Sequence, residues 1–133
     1  MRNFLITTIF IIVSNFIFGQ TFVTANYYEF GFVDTLTQDV VWGEKVKMDP
    51  TLISIGSRNL RIHTEKFQQF FFNSQRYDLY EYDLYGVKGY YYKSYSADGE
   101  ECVIYVYSEG DDSKYLEIEH KSYVIKYSIV DLE

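Results

Sequence analysis

The side chains that could move a proton, hold a metal or attack a substrate are of few kinds: two histidines, one cysteine and 19 acids. His63 and His120 stand far apart in the chain, each near the end of an expected strand, where an exposed imidazole is the ordinary outcome. Zinc needs a cluster of His, Cys, Asp or Glu ligands, and the spacing offers none, so no metal is expected. "EGDD" (Glu109 to Asp112) gathers acid in a turn. It lacks the alternating oxygen ligands and closing bidentate Glu of an EF-hand loop, and it reads as a solvated hairpin tip. No Gly-rich phosphate loop occurs, and no G-x-S-x-G elbow that would expose a serine nucleophile. Asp78 with Asp83, and Glu100 with Glu101, are pairs along the sequence. Glycosidase chemistry needs two carboxyls across a cleft with separated pKa values. A hydrolase would also need His63 or His120 within hydrogen-bond reach of an acid in a cleft. The expectation is a noncatalytic protein with no catalytic residue and no cofactor.

Recognition chemistry is better represented. Eight of the 15 tyrosines fall between Arg76 and Gly99. Aromatic rings stack on sugars and on apolar side chains, and a tyrosine adds a polar tip. The candidate ligand-binding residues are Trp42, Tyr80, Tyr82, Tyr91, Lys93 and Tyr95, with Asp78 and Asp83 as further hydrogen-bonding groups. "YDLY" occurs at Tyr77 to Tyr80 and again at Tyr82 to Tyr85. The offset of five is odd, and an odd offset reverses the face in a regular strand, so the copies do not build one repeated surface. "KGYYYKSY" (Lys88 to Tyr95) matches the RNA-binding signature at Lys88, Gly89, Tyr90, Tyr92 and Tyr95. It carries Tyr91 where a small residue belongs and Lys93 where an apolar one does, and the helices of that fold are not expected. No nucleic-acid partner is predicted.

The elements that must position these rings are strands. Apolar and polar residues alternate with period 2 almost throughout. "YLEIEH" sets Leu116 and Ile118 against Glu117 and Glu119, and "GYYYKSYSA" sets Tyr90 and Tyr92 with Ser94 and Ser96 against Tyr91 and Tyr95 with Lys93 and Ala97. Strands are expected over Thr21 to Asp34 with a break at Gly31, Val40 to Met48, Leu52 to Ile55, Leu60 to His63 and Glu65 to Phe72, "FQQFFF" being equally readable as a helical turn. Further strands cover Tyr77 to Tyr85, Gly89 to Ala97, Glu100 to Ser108, Tyr115 to His120 and Tyr123 to Val130. Asp49-Pro50 and Gly56 to Asn59 read as turns. Asp98-Gly99 reads as a type I′ hairpin with positive φ at both residues. The expected core is Trp42, Val46, Ile53, Ile55, Leu60, Ile62, Cys102, Ile104, Val106, Leu116, Ile118, Ile125 and Ile129.

The N-terminus reads as an export signal. After Arg2, Phe4 to Phe18 holds eleven apolar residues in fifteen and no acid, ending at Gly19-Gln20. A membrane-spanning helix needs about 20 apolar residues, whereas this length suits a signal-peptide core. Residues 1–19 are therefore expected to be a signal peptide and 20–133 a single domain, periplasmic or extracellular, with no membrane insertion of the mature chain. Losing Arg2 with the leader takes the formal net charge from −7 to −8, a balance that disfavours phosphate backbones. Cys102 cannot form an internal disulfide in a chain with one cysteine, and "ECVIYVY" places it in a strand as a small buried hydrophobe.

An apolar leader followed by a compact aromatic β domain is similar in make-up to short bacterial exported proteins. Consecutive hairpins give a meander that resembles the lipocalin-like calycin barrels in architecture. Their G-x-W near the first strand is replaced here by Trp42-Gly43 within "VVWGEKV". The expected fold is all-β, an antiparallel meander forming a lipocalin-like barrel or half-barrel, with a two-sheet β-sandwich as the alternative. The expected function is an interaction module for a protein or glycan in the bacterial envelope. A carrier of a small apolar or aromatic ligand is the alternative, and a small hydrolase-type enzyme the third reading. A carrier needs an apolar cavity of about 300 Å³ or more; a module needs the tyrosines gathered on an exposed face.

Overall fold

Successive Cβ atoms of a strand point to opposite faces, so a chain of period-2 segments can bury one face only by packing sheets together or by curling one sheet shut. The computed structural model describes residues 21–79, 87–110 and 113–131, and among them the chain takes the second route. Ten strands are present: β1 (Thr21–Val33), β2 (Val40–Trp42), β3 (Val46–Ile55), β4 (Asn59–Ile62), β5 (Gln68–Phe72), β6 (Tyr77–Asp78), β7 (Val87–Ser96), β8 (Glu101–Glu109), β9 (Ser113–Glu119) and β10 (Tyr123–Asp131). No helix occurs among the described residues. β2 and β3 both lie along one edge of β1, and β5 and β6 both lie along one edge of β7. Eight staves therefore run β1, β2–β3, β4, β5–β6, β7, β8, β9 and β10. The last pairs with the first from Val23↔Asp131 to Phe32↔Tyr123. This pairing closes the barrel and removes the sandwich and the half-barrel. Residues 1–20, and with them the expected signal peptide, lie outside the described residues.

The inward residues meet across the ladders: Ile104 opposes Ile118, which opposes Ile125, and Val106 opposes Leu116, which opposes Tyr127. Ile53, Leu60, Ile62, Ile104 and Leu116 are wholly buried. Burying each such aliphatic contributes about 1.5–3 kcal/mol. Ile55, Cys102, Ile118 and Ile129 join the same core as expected, and Val106 and Ile125 pack against it. Two expected core residues do not. Val46 is 40% exposed. Trp42 lies on the outer wall over Gly31, where an added Cβ would meet its Cε3 at 2.9 Å. Val124, cross-strand from Gly31, is sealed on that same outer face. The core also takes Val23, Ala25, Phe70 and Tyr127, which polar or aromatic neighbours masked in the sequence.

Four local expectations are corrected. β1 runs through Gly31; its irregularity is a bulge between Ala25 and Tyr27. Asp49-Pro50 is not a turn but part of β3. The register on β3 passes from Thr51 to Lys47 opposite that bulge, so Pro50 faces no ladder position that needs its missing N–H. The single strand expected over Val40 to Met48 is broken at Gly43, whose N–H donates to Phe30 O at 2.8 Å. In the Asp98-Gly99 hairpin only Gly99 has positive φ, 89°. Gly99 N–H donates to Ser96 O and Ser96 N–H to Glu100 O, a four-residue connection rather than a type I′ turn.

A candidate binding face on the outer wall

Strand β7 sorts the tyrosines as its alternation requires. Tyr90, Tyr92 and Ser94 turn inward with their ladder partners Val106, Ile104 and Cys102. Tyr92 stacks on Phe72 with centroids 3.8 Å apart, and the Arg76 guanidinium lies 4.8 Å over the Tyr90 ring. Burial raises the pKa of both phenols. Tyr91, Lys93 and Tyr95 turn outward. Tyr91 is held between Tyr77 at 5.0 Å and Tyr105 at 5.5 Å, while Tyr95 stacks on Phe71 at 5.5 Å. The barrel wall, not a chance cluster, aligns these groups. Tyr77, Tyr91, Tyr105, Glu117 and Lys126 are successive cross-strand partners on β6, β7, β8, β9 and β10.

Two residues along the strands, on the same face, Gly89, Tyr107, Tyr115 and Ser128 form the neighbouring row. Gly89 leaves no room for a side chain: a Cβ there would overlap Val106 O and stand 2.6 Å from Tyr107 Cα. Beside it a groove of about 510 Å³ opens, lined by Tyr91, Lys93, Tyr105, Tyr107 and Glu117 with Leu79, Val87 and Val103. Burial lifts the Glu117 carboxyl above its ordinary range, against the Tyr107 hydroxyl that donates to it and the nearby Lys126. Burial, then the Glu117 charge, pushes the Tyr107 phenol far up. Lys126 Nζ itself lies 4.5 Å over the Trp42 ring and 5.1 Å over Tyr115, a cation held by ring faces.

A second hollow of about 620 Å³ adjoins the first through Lys93 and Val103 and extends to Glu101, Glu119 and Lys121. At its end stands His120, which is not exposed as expected but 8% accessible, because the β9–β10 turn packs its ring on Tyr123 at 4.3 Å. Its Nδ1 is 3.3 Å from Glu100 Oε1, yet the alignment makes no hydrogen bond. Burial lowers the imidazole pKa, and Glu100 partly offsets this. His63 is exposed, 3.3 Å from Ser54 Oγ. The Cys102 thiol is pushed up to about 11 by burial and by Glu100, so it stays protonated at neutral pH. No group of three metal-ligating side chains is brought together among the described residues.

Of the residues singled out in the sequence, Tyr91 and Lys93 line the groove, and Tyr95 shares their face but packs on Phe71. Trp42 joins the outer wall beyond Lys126. Tyr80, Tyr82 and Asp83 lie outside the described residues. Sequence reasoning missed Tyr105, Tyr107 and Glu117. Their outward direction was legible from the alternation in "ECVIYVY" and "YLEIEH"; the register that sets them beside Tyr91 was not.

Two smaller hollows sit at opposite ends of the barrel. One, of about 290 Å³, lies beneath the Asp98 turn against Phe70, Ile118 and Ile125. The other, of about 210 Å³, lies beside Thr21, Lys88 and Ile129. The chain matches no protein-family model, and neither the curated proteins nor the solved structures contain a significant match to it.

Proposed function

We propose that the protein is a noncatalytic exported domain that acts as an interaction module in the bacterial envelope, presenting the outer wall of β7–β9 to a protein or glycan. The observation that supports this is the groove itself. Tyr91 and Lys93 meet Tyr105, Tyr107 and Glu117 around one open hollow of about 510 Å³, combining apolar ring faces with a carboxylate and an ammonium. Export rests on the leader-like run Phe4 to Phe18. The eight-stave meander is lipocalin-like in outline. A carrier would use an inner hollow, and the larger of the two at the barrel ends, about 290 Å³, falls at the lower limit for small-molecule sites of about 300 Å³. A hydrolase-type reading has one contact in its favour, the 3.3 Å approach of His120 to Glu100, and requires ester or glycoside turnover that is lost in His120→Gln.

The test is native mass spectrometry of protein purified from its own envelope, with a Tyr91→Ala/Lys93→Ala variant and a Phe67→Ala variant at the barrel end. A companion molecule retained by the native chain should be lost from the outer-wall variant and kept by Phe67→Ala. The reverse pattern, or no companion on any of the three, overturns the proposal.

A further inference from the structure

We propose that the two adjoining hollows are one trough and that its partner is an extended basic segment of another polypeptide. This rests on the outer-wall reading and names the class of partner that wall accepts. The hollows share Lys93 and Val103, so the trough runs from the outer face of β7–β9 to the barrel rim at Asn73, Ser94 and His120. Its ends differ. One is walled by the rings of Tyr91, Tyr105 and Tyr107; the other carries Glu100, Glu101 and Glu119.

Charge selects the occupant. With Glu117, four carboxylates line the trough against the two lysines Lys93 and Lys121. Lys126, beside Glu117, is already engaged by the rings of Trp42 and Tyr115. His120 adds no positive charge. Its side chain is more than nine-tenths buried, its Nδ1 lacks a hydrogen bond, and burial favours the neutral ring. Burial holds Glu117 and Glu119 above the ordinary carboxylate range, Glu117 against the Tyr107 hydroxyl and Lys126. A bound lysine or arginine adds a cation against the four carboxylates. The tyrosine end accepts the apolar stem or face of such a side chain, as it accepts Lys93 Nζ 5.9 Å from the Tyr77 ring. A neutral glycan would use the rings and offer hydroxyl donors to the carboxylates, but no cation.

The experiment is fluorescence anisotropy at low ionic strength with three probes: a labelled Lys-Tyr-Lys-Lys-Tyr-Lys peptide, its Glu-Tyr-Glu-Glu-Tyr-Glu counterpart, and labelled chitohexaose. The basic peptide should bind, and the acidic one should not. Glu101→Gln/Glu119→Gln should weaken binding about fivefold, as expected for two partly exposed pairs, and added salt should weaken the native chain further. Thermal melts confirm that the variant folds. Equal binding of both peptides, or no change in the double variant, overturns the inference. Binding of chitohexaose alone overturns it while leaving the outer-wall proposal standing. If no probe binds and the Tyr91→Ala/Lys93→Ala variant keeps the native companion, both fail.

Discussion

Truncating Ile104 to alanine tests the alternation on which every placement above depends. Ile104 is wholly buried on β8, between Tyr92 of β7 and Ile118 of β9. The change removes three carbons, worth about 0.8 kcal/mol each or about 2.4 kcal/mol together. Its neighbours belong to three hydrogen-bonded staves of a closed ring and cannot collapse freely. A residual cavity of some tens of Å³ at about 24 cal/mol per Å³ therefore adds about 1 kcal/mol. The expected loss is about 3–4 kcal/mol, a large share of a typical domain stability of roughly 5–15 kcal/mol. At about 4 °C per kcal/mol for a domain of this size, Tm should fall by about 12–16 °C. Urea unfolding measures it, with an unchanged m-value showing that the barrel still unfolds as one unit. The internal control is Val130→Ala: Val130 is 52% exposed on β10, and its truncation should cost less than about 0.5 kcal/mol. If Ile104→Ala lies within about 0.5 kcal/mol of the native chain, or if the two variants lose equal stability, the inward and outward assignment is wrong.

Gly89→Ala should destabilise by about 1–3 kcal/mol or more, because the new methyl meets the β8 backbone at Val106 and Tyr107 rather than a movable side chain; urea unfolding beside Val87→Ala separates the clash from a change of helix or strand propensity. Burial depresses the His120 pKa below 6.5, so the unfolded chain binds more protons and stability should fall as pH drops below about 6.5; His120→Gln should flatten that limb of a Tm-versus-pH curve. Glu117 carries the opposite sign: its raised pKa makes the charged form unfavourable in the fold above about 4.5, so Glu117→Gln should melt no lower than the native chain at pH 7, and a clear drop would show that the ionised form is stabilising. Cys102, buried and pushed up to about 11, should resist a thiol-specific disulfide reagent at pH 8 until urea unfolds the chain; rapid labelling of the native state would contradict its placement.

The parts of the fold legible in advance share one cause. Strand boundaries on β7, β8, β9 and β10 fell within one or two residues of expectation because those segments alternate cleanly. Tyr91, Lys93 and Tyr95 were placed on one face by the same rule. Where local signals competed, the misreadings followed. Asp49-Pro50 looked like a turn because proline usually marks one, yet the bulge across from it on β1 removed the hydrogen bond that proline cannot make. Trp42 looked like core because it is large and apolar, yet Gly31 offered it a seat on the outside. His120 looked exposed because it ends a strand, yet the turn that follows folds Tyr123 over it.

Sequence alone indicated that the described residues are built of strands and which side chains share a face, since a period of two is a property of the extended backbone itself. Tertiary structure alone decided that the sheet closes, through the β1–β10 pairing, and that Tyr77, Tyr91, Tyr105, Glu117 and Lys126 stand in one row. Closure and register join residues distant in the chain, and they are set by how the inward side chains fill a shared interior, which no single strand's pattern contains.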